Sequence, residues 1–280
     1  MSIQQENFKK IADKIREKLN STALIRPSTF AYAIEDVYKS GKNTRESEFW
    51  DEYQQNGERT NYKNAFYGSG WNDNTFKPKY DIVISGNADS HEYMFGNSGT
   101  INLEKILSDK NLKFDTSGIT TFGPMFYFSG VTHLPEIDVR NVTKFSNTFL
   151  WSQIESIKKL ILNPDGNQTF GNLFYTAQLK QIEFEGTINT DIDLYSCSKL
   201  NKDSIYSLFS VLSDSITSKK TCTLSKKSVN AAFQGYGYEI DENSNIIKTS
   251  EIVSGSNSYE WFMFTTNFSN THSYWSIFLA

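Results

Sequence analysis

Three histidines, His91, His133 and His272, are the first residues to test for chemistry, and none stands at metal-ligand spacing from another. Each reads as a solvated or hydrogen-bonded side chain. The carboxylate pairs Glu183/Glu185 and Asp191/Asp193 are each two residues apart. Alternate residues of a strand point to one face, so either pair could serve acid/base work or grip calcium. A glycosidase sets its carboxylates across a cleft, about 5–9 Å apart, and a charged strand edge is the better reading here. Gly68-Ser69-Gly70 lacks the lysine and the helix start of a phosphate loop. No G-x-S-x-G elbow occurs. Cys197 and Cys222 are too few and too far apart for a disulfide framework or a zinc knuckle. Two small buried thiols are favoured, and a bridge between them stays open. The expectation is a chain that is not an enzyme, with no catalytic set, no cofactor and no metal.

What remains is recognition. Aromatic residues make up 15% of the chain, more than a core alone calls for. Tyr127, Trp151 and Tyr175 recur at like places in a repeat. If that column faces outward, it forms an aromatic strip for sugar rings or a protein partner. Packing between neighbouring units is the competing reading.

The repeat positions these residues. Phe122-Gly-Pro-Met-Phe126, Phe145-Ser-Asn-Thr-Phe149 and Phe170-Gly-Asn-Leu-Phe174 align, each with Phe, two small or turn-forming residues, an interior position and Phe. A small residue follows (Ser129, Ser152, Ala177), then Val131, Ile154 or Leu179, then Leu134, Ile157 or Ile182. The offsets are 149 minus 126, or 23, and 174 minus 149, or 25. Weaker copies flank these at Tyr93-Met94-Phe95 with Ser98 and at Leu194-Tyr195-Ser196-Cys197. One unit cannot bury its Phe and Leu positions alone, whereas stacked units share one apolar spine and a parallel strand ladder. The strands expected are Glu136–Val139, Lys159–Leu162 and Gln181–Phe184. Phe122, Phe126, Phe145, Phe149, Phe170 and Phe174 are the expected core.

Around the repeat, the N-terminus predicts a helix over 3–20, with Phe8, Ile11, Ile15 and Leu19 as one apolar stripe for docking or oligomerisation. A second helix is predicted from Ser28 and a third over 44–56. The aromatic stretch from Tyr62 to Tyr80 reads as turns, the start or cap of the repeats, with a strand at Asp81–Ile84. After Asn201, Asp203 or Ser204 is expected to cap a helix bearing Ile205, Leu208, Phe209 and Leu212. A strand at Thr221–Leu224 and a short helix with Val229, Ala232 and Phe233 come next. Trp261–Phe264 and Trp275–Leu279 read as two strands joined by a polar loop, Thr265–Ser273. The fold class expected is α+β: a short leucine-rich-repeat solenoid behind an N-terminal helical segment, closed by a small C-terminal β/α cap. The domains run 1–42, 43–92, 93–200 and 201–280.

Net charge is −4, which argues against nucleic acid. No apolar run nears the roughly 20 residues of a membrane span. The first twenty residues lack the apolar centre of a secretory signal.

The unit Ile137-Asp-Val-Arg-Asn-Val-Thr-Lys-Phe-Ser-Asn-Thr-Phe149 resembles the BspA-like leucine-rich repeats, over residues 93–200. It departs in carrying Ile137 where Trp is common, and one unit alone keeps Asn-Val-Thr. Phe8-Lys-Lys-Ile-Ala-Asp-Lys-Ile-Arg-Glu-Lys with Ile25–Phe30 is similar to helical segments of tail and baseplate proteins of phages infecting Gram-positive bacteria. Phe49–Asp51, Asn56-Gly57, Arg59-Thr60 and Phe76–Tyr80 resemble a block that precedes such repeats there. The resemblance implies a virion component of the tail, baseplate or fibre. It implies contact with other virion proteins through the N-terminal helices and a homo-oligomer, with a trimer favoured. The outward partner would be a host-surface glycan or protein. A bacterial cell-surface adhesin is the alternative, and a carbohydrate-active enzyme a more distant one.

Overall fold

A computed structural model of the chain describes residues 62–68, 70–175, 178–233, 238–240, 246–248 and 257–280. All belong to a compact unit spanning Arg59–Ala280. The three expected N-terminal helices, the stripe Phe8, Ile11, Ile15 and Leu19, and Ala177 lie outside the described residues.

The element that repeats is a tight turn. In Asn147-Thr148-Phe149-Leu150-Trp151, the first and last residues have positive φ (54° and 55°), and Thr148 and Phe149 turn inward and are buried. The same turn appears at Asn64–Gly68 (φ 55° and 110°), at Tyr93–Asn97 (φ 53° and 51°) and ending on Phe128 (φ 52°). The central phenylalanine donates its main-chain N–H to the following turn. Phe66 reaches Met94, Phe95 reaches Met125, Phe126 reaches Thr148 and Phe149 reaches Leu173, at 2.8, 2.9, 3.0 and 3.3 Å.

Each turn therefore lands above the next at about the 4.8 Å of hydrogen-bonded strands, and the rings fall into register. Phe66, Phe95, Phe126, Phe149 and Phe174 form one buried column, with successive centroids 5.1, 5.3, 5.6 and 6.1 Å apart. Four residues earlier in each unit runs a second buried column: His91, Phe122, Phe145 and Phe170, at 5.4, 6.1 and 5.5 Å. All six expected core phenylalanines lie in these columns. The stack starts one unit before residue 93, with Tyr62 and Phe66 holding the two places.

Parallel strands complete each unit. β1 (Ile82–Gly86) pairs with β3 (Phe114–Ile119), and β4 (Thr121–Phe122) with β6 (Lys144–Phe145). The main sheet has the order β2-β5-β7-β8: Ile101–Asn102, Val131–Asp138, Ser156–Ile161 and Gln181–Glu185. Leu134, Ile157 and Ile182 lie side by side in its register, all buried. The first two long strands start earlier than expected. Val131 and Leu134, or Ile157, already bury the face that the later residues continue, so hydrogen bonding begins straight after the turn. The step from Phe95 to Phe126 is longer (126 minus 95, or 31) because α1 (Leu103–Asp109) is inserted, capped by the Asn102 side chain on Lys105 N–H.

At the far end, α2 (Lys202–Ser210) lies on β8. The Ser204 and Ser207 hydroxyls accept the main-chain N–H groups of Ile182 and Phe184, at 2.8 and 2.7 Å. The edge of the sheet is thereby satisfied by side chains rather than by another strand. The residue that caps α2 is Asn201, whose side chain accepts from Ser204 N–H, not Asp203 or Ser204. Asn201 is the last extended residue before the helix, the position from which a side-chain oxygen reaches the first free N–H groups.

Beyond it, β10 (Lys220–Leu224) is the middle of a parallel sheet with β9 (Ile192–Leu194) and β13 (Trp275–Leu279). α3 (Lys226–Ala232) and the antiparallel pair β11 (Tyr238–Ile240) and β12 (Ile246–Lys248) lie between β10 and the last helix in sequence. That helix is α4, Asn257–Thr271, where a strand and a polar loop were expected. The physical reason is a spacing of four. Phe264 and Phe268 share one helical face and both rest on Phe209, at 4.9 and 4.8 Å. His272, one turn on, stacks on Phe268 at 4.1 Å.

The protein thus combines helices with parallel sheets. No helix among the described residues is long and apolar enough to cross a membrane. Cys197 and Cys222 are buried free thiols. Cys197 donates to the Phe174 carbonyl at 3.3 Å, ending the phenylalanine column, and burial pushes the Cys222 thiol far up.

Candidate recognition surface

Reversal at the turn sends Phe126 and Phe149 inward and brings the two residues after each of them toward the surface. Trp151, two after Phe149, is 48% exposed, and Phe128, two after Phe126, is 52% exposed. Tyr175, one after Phe174, is 38% exposed, and Tyr127 is half-buried. Stacking of the units brings these rings together. Tyr127 lies 5.7 Å from Trp151 and 5.7 Å from Tyr93, and Phe128 lies 4.8 Å from Trp151. Tyr175 lies edge-on to Tyr195, with ring centroids 5.7 Å apart, and the neighbouring Tyr195 hydroxyl raises its pKa above the ordinary phenol value. The three residues singled out in the sequence thus sit on one outward strip. Phe128 and Tyr195 are further members. Phe128 was legible in principle, since it holds the place in its unit that Trp151 holds in the next.

Phe128, Trp151 and Tyr175 line an open groove of about 610 Å³, together with Ser152, Gln153, Gln178 and Ser196. No charged side chain is among these lining residues. The Gln178 carbonyl oxygen accepts from Lys199 Nζ at 2.6 Å. Lysine only donates, so this contact engages the oxygen of the Gln178 amide and not its NH2.

The backbone sets this strip apart. Phe128 and Trp151 lie in left-handed conformation (φ 52° and 55°), where the equivalent places are held by Gly68 and Asn97. Glycine and asparagine adopt that conformation cheaply, whereas a bulky side chain costs on the order of 1–2 kcal/mol. Two adjacent units accept the cost and show a large ring to solvent.

The other candidates are structural. Glu183 and Glu185 both pair with Lys159, each at 3.1 Å. Asp191 accepts from Thr221 N–H and Asp193 from Tyr195 N–H. His133 shares a hydrogen bond with Thr132. His91 fills a phenylalanine place: its Nε2 accepts from Gly123 N–H at 3.3 Å, and burial lowers its pKa to about 4. A larger cavity, about 880 Å³, opens where the loop 210–218 meets Asp165, Asn189 and His272. It shares no lining residue with the aromatic groove, and His272 there is held through both ring nitrogens, one toward Leu212 O and one toward Thr271 Oγ1. Among the described residues no group of three His, Cys, Asp or Glu side chains could hold a metal ion. Comparison with family models, with curated proteins and with solved structures finds no match to this chain.

Proposed function

We propose that this chain is a non-enzymatic attachment protein, a short leucine-rich-repeat solenoid whose outward aromatic strip contacts a partner. The observation that carries the reading is the pair Phe128 and Trp151. Both are about half exposed, and both sit in a backbone conformation that their neighbours in the stack fill with glycine or asparagine. Strain of this kind persists where the side chain has a use that packing does not supply. The units at Phe126, Phe149 and Phe174 recur at 23 and 25 residues, within the leucine-rich-repeat range of about 20–29, and the stacked phenylalanines support that assignment.

The setting is the virion of a phage infecting Gram-positive bacteria, as a tail, baseplate or fibre component. This rests on the resemblance of residues 8–30 and 49–80. The helices of residues 1–42 would dock to other virion proteins or form a trimer, leaving the repeats outward. The test has two arms. Purified particles should contain the chain, and deletion of residues 1–42 should remove it from them. The full chain, fluorescently labelled, should bind host cells, and the double variant Phe128→Gly, Trp151→Gly should not. Absence from particles with retained cell binding would transfer the protein to the bacterial surface. Cell binding unaffected by the double variant would overturn the strip as its contact.

A further inference from the structure

We infer that the groove lined by Trp151 and Tyr175 takes a neutral oligosaccharide. The inference rests on the attachment reading and adds the chemistry of the ligand. Sugar rings carry two kinds of surface: faces of C–H groups that lie flat on aromatic rings, and rims of hydroxyls that both donate and accept. The groove offers both in the matching arrangement. Phe128, Trp151 and Tyr175 supply ring faces, and Gln153, Gln178 and Ser196 supply amides and hydroxyls beside them.

Charge selects among saccharides. No lysine, arginine or acid is among the lining residues, and Lys199, which touches the lining through Gln178, is already engaged by that side-chain oxygen, so an anionic polymer would lose hydration of its phosphates or carboxylates for at most one shared counter-charge. A neutral chain loses nothing comparable. Size points the same way. A volume of about 610 Å³ falls in the 300–1,000 Å³ of small-ligand sites, whereas a protein partner needs about 800 Å² of surface on each side. The direction also fits. Phe128 and Trp151 follow the stack from one unit to the next, 4.8 Å apart, so the platform is extended along an axis, as a polysaccharide is.

The site is held ready before any ligand arrives. The left-handed turns fix Phe128 and Trp151, Tyr195 packs edge-on against the Tyr175 ring, and Lys199 orients the Gln178 amide. Ordering costs on binding fall accordingly.

The experiment is an array of neutral and anionic oligosaccharides probed with the full-length protein, in parallel with host-cell binding. Signal on neutral glycans is expected. It should drop more than tenfold in Trp151→Gly and severalfold in Gln178→Ala. Phe278→Ser, which removes an exposed aromatic on β13, should leave it unchanged. Thermal melting checks that each variant is folded. Binding to anionic glycans alone, binding to none, or a signal indifferent to Trp151→Gly would each overturn the proposal. Cells that are still bound through the strip, with binding removed by protease rather than by periodate, would keep the attachment reading and assign the groove to a protein. Cells not bound at all would remove the attachment reading itself.

Discussion

Phe149 and Trp151 stand two residues apart in one turn and meet opposite physics. Phe149 is fully buried between Phe126 and Phe174 and belongs to a column that exists only because units stack. Trp151 is half exposed on a left-handed residue and gives the stack little that Asn97 or Gly68 does not give in their own units. The inner aromatics are thus accounted for by stability. The outer ones run against it, and that contrast separates scaffold from surface without reference to any relative.

The contrast can be broken from the inside first. Phe149→Ala should cost about 3–5 kcal/mol, read as a fall in the urea midpoint. A loss below about 1 kcal/mol would mean that the column does not carry the fold.

His91 sharpens it next, because it is the one histidine of the second column among the described residues. In the unfolded chain it takes up a proton near pH 6.5, and in the folded chain only near 4. The unfolded state therefore binds more protons between these values, and stability falls as pH falls through that window. The loss is on the order of 3 kcal/mol, present only below pH 6.5. His91→Phe, which restores the residue of the following units, should flatten the profile between pH 6.5 and 4 in denaturant titrations. An unchanged slope would place the acid sensitivity elsewhere.

The smallest effect is the most diagnostic. Trp151→Gly should leave the melting temperature unchanged or raise stability by up to about 1 kcal/mol, because glycine tolerates φ 55°. Trp151→Ala keeps the penalty and should be the less stable of the two. If glycine proved clearly worse than alanine, Trp151 would belong to the scaffold after all.

Much of the scaffold was legible. Units 122–174 declare themselves through paired phenylalanines at a spacing of four, and their strands through the apolar residues that follow. The unit at Phe95 showed only as a weak copy because His91 stands where phenylalanine is expected and α1 stretches the next step to 31 residues, and the unit before it, with Tyr62 in that place, went unread. The last helix hid behind Thr, Asn and Ser, residues of weak helix propensity. Packing of Phe264 and Phe268 on Phe209 overrides that preference. Of the surface, Tyr127, Trp151 and Tyr175 could be named, yet their exposure could not, since the same periodicity serves contacts between units. Left-handed backbone at Phe128 and Trp151 has no sequence signature at all, because the residues that usually announce it are absent there.

The two serines of α2 that hold the N–H groups of Ile182 and Phe184 have a bearing on how such a molecule grows. A parallel ladder has no intrinsic length, as each rung offers the next the same donors. Here two hydroxyls act as a full stop. Copying residues 149–173 in tandem ahead of that stop would add one storey to the tower and lengthen its aromatic flank, with the terminal helix simply carried outward. The extent of the exposed aromatic strip is therefore an inheritable variable, adjustable by duplication without redesign of either end.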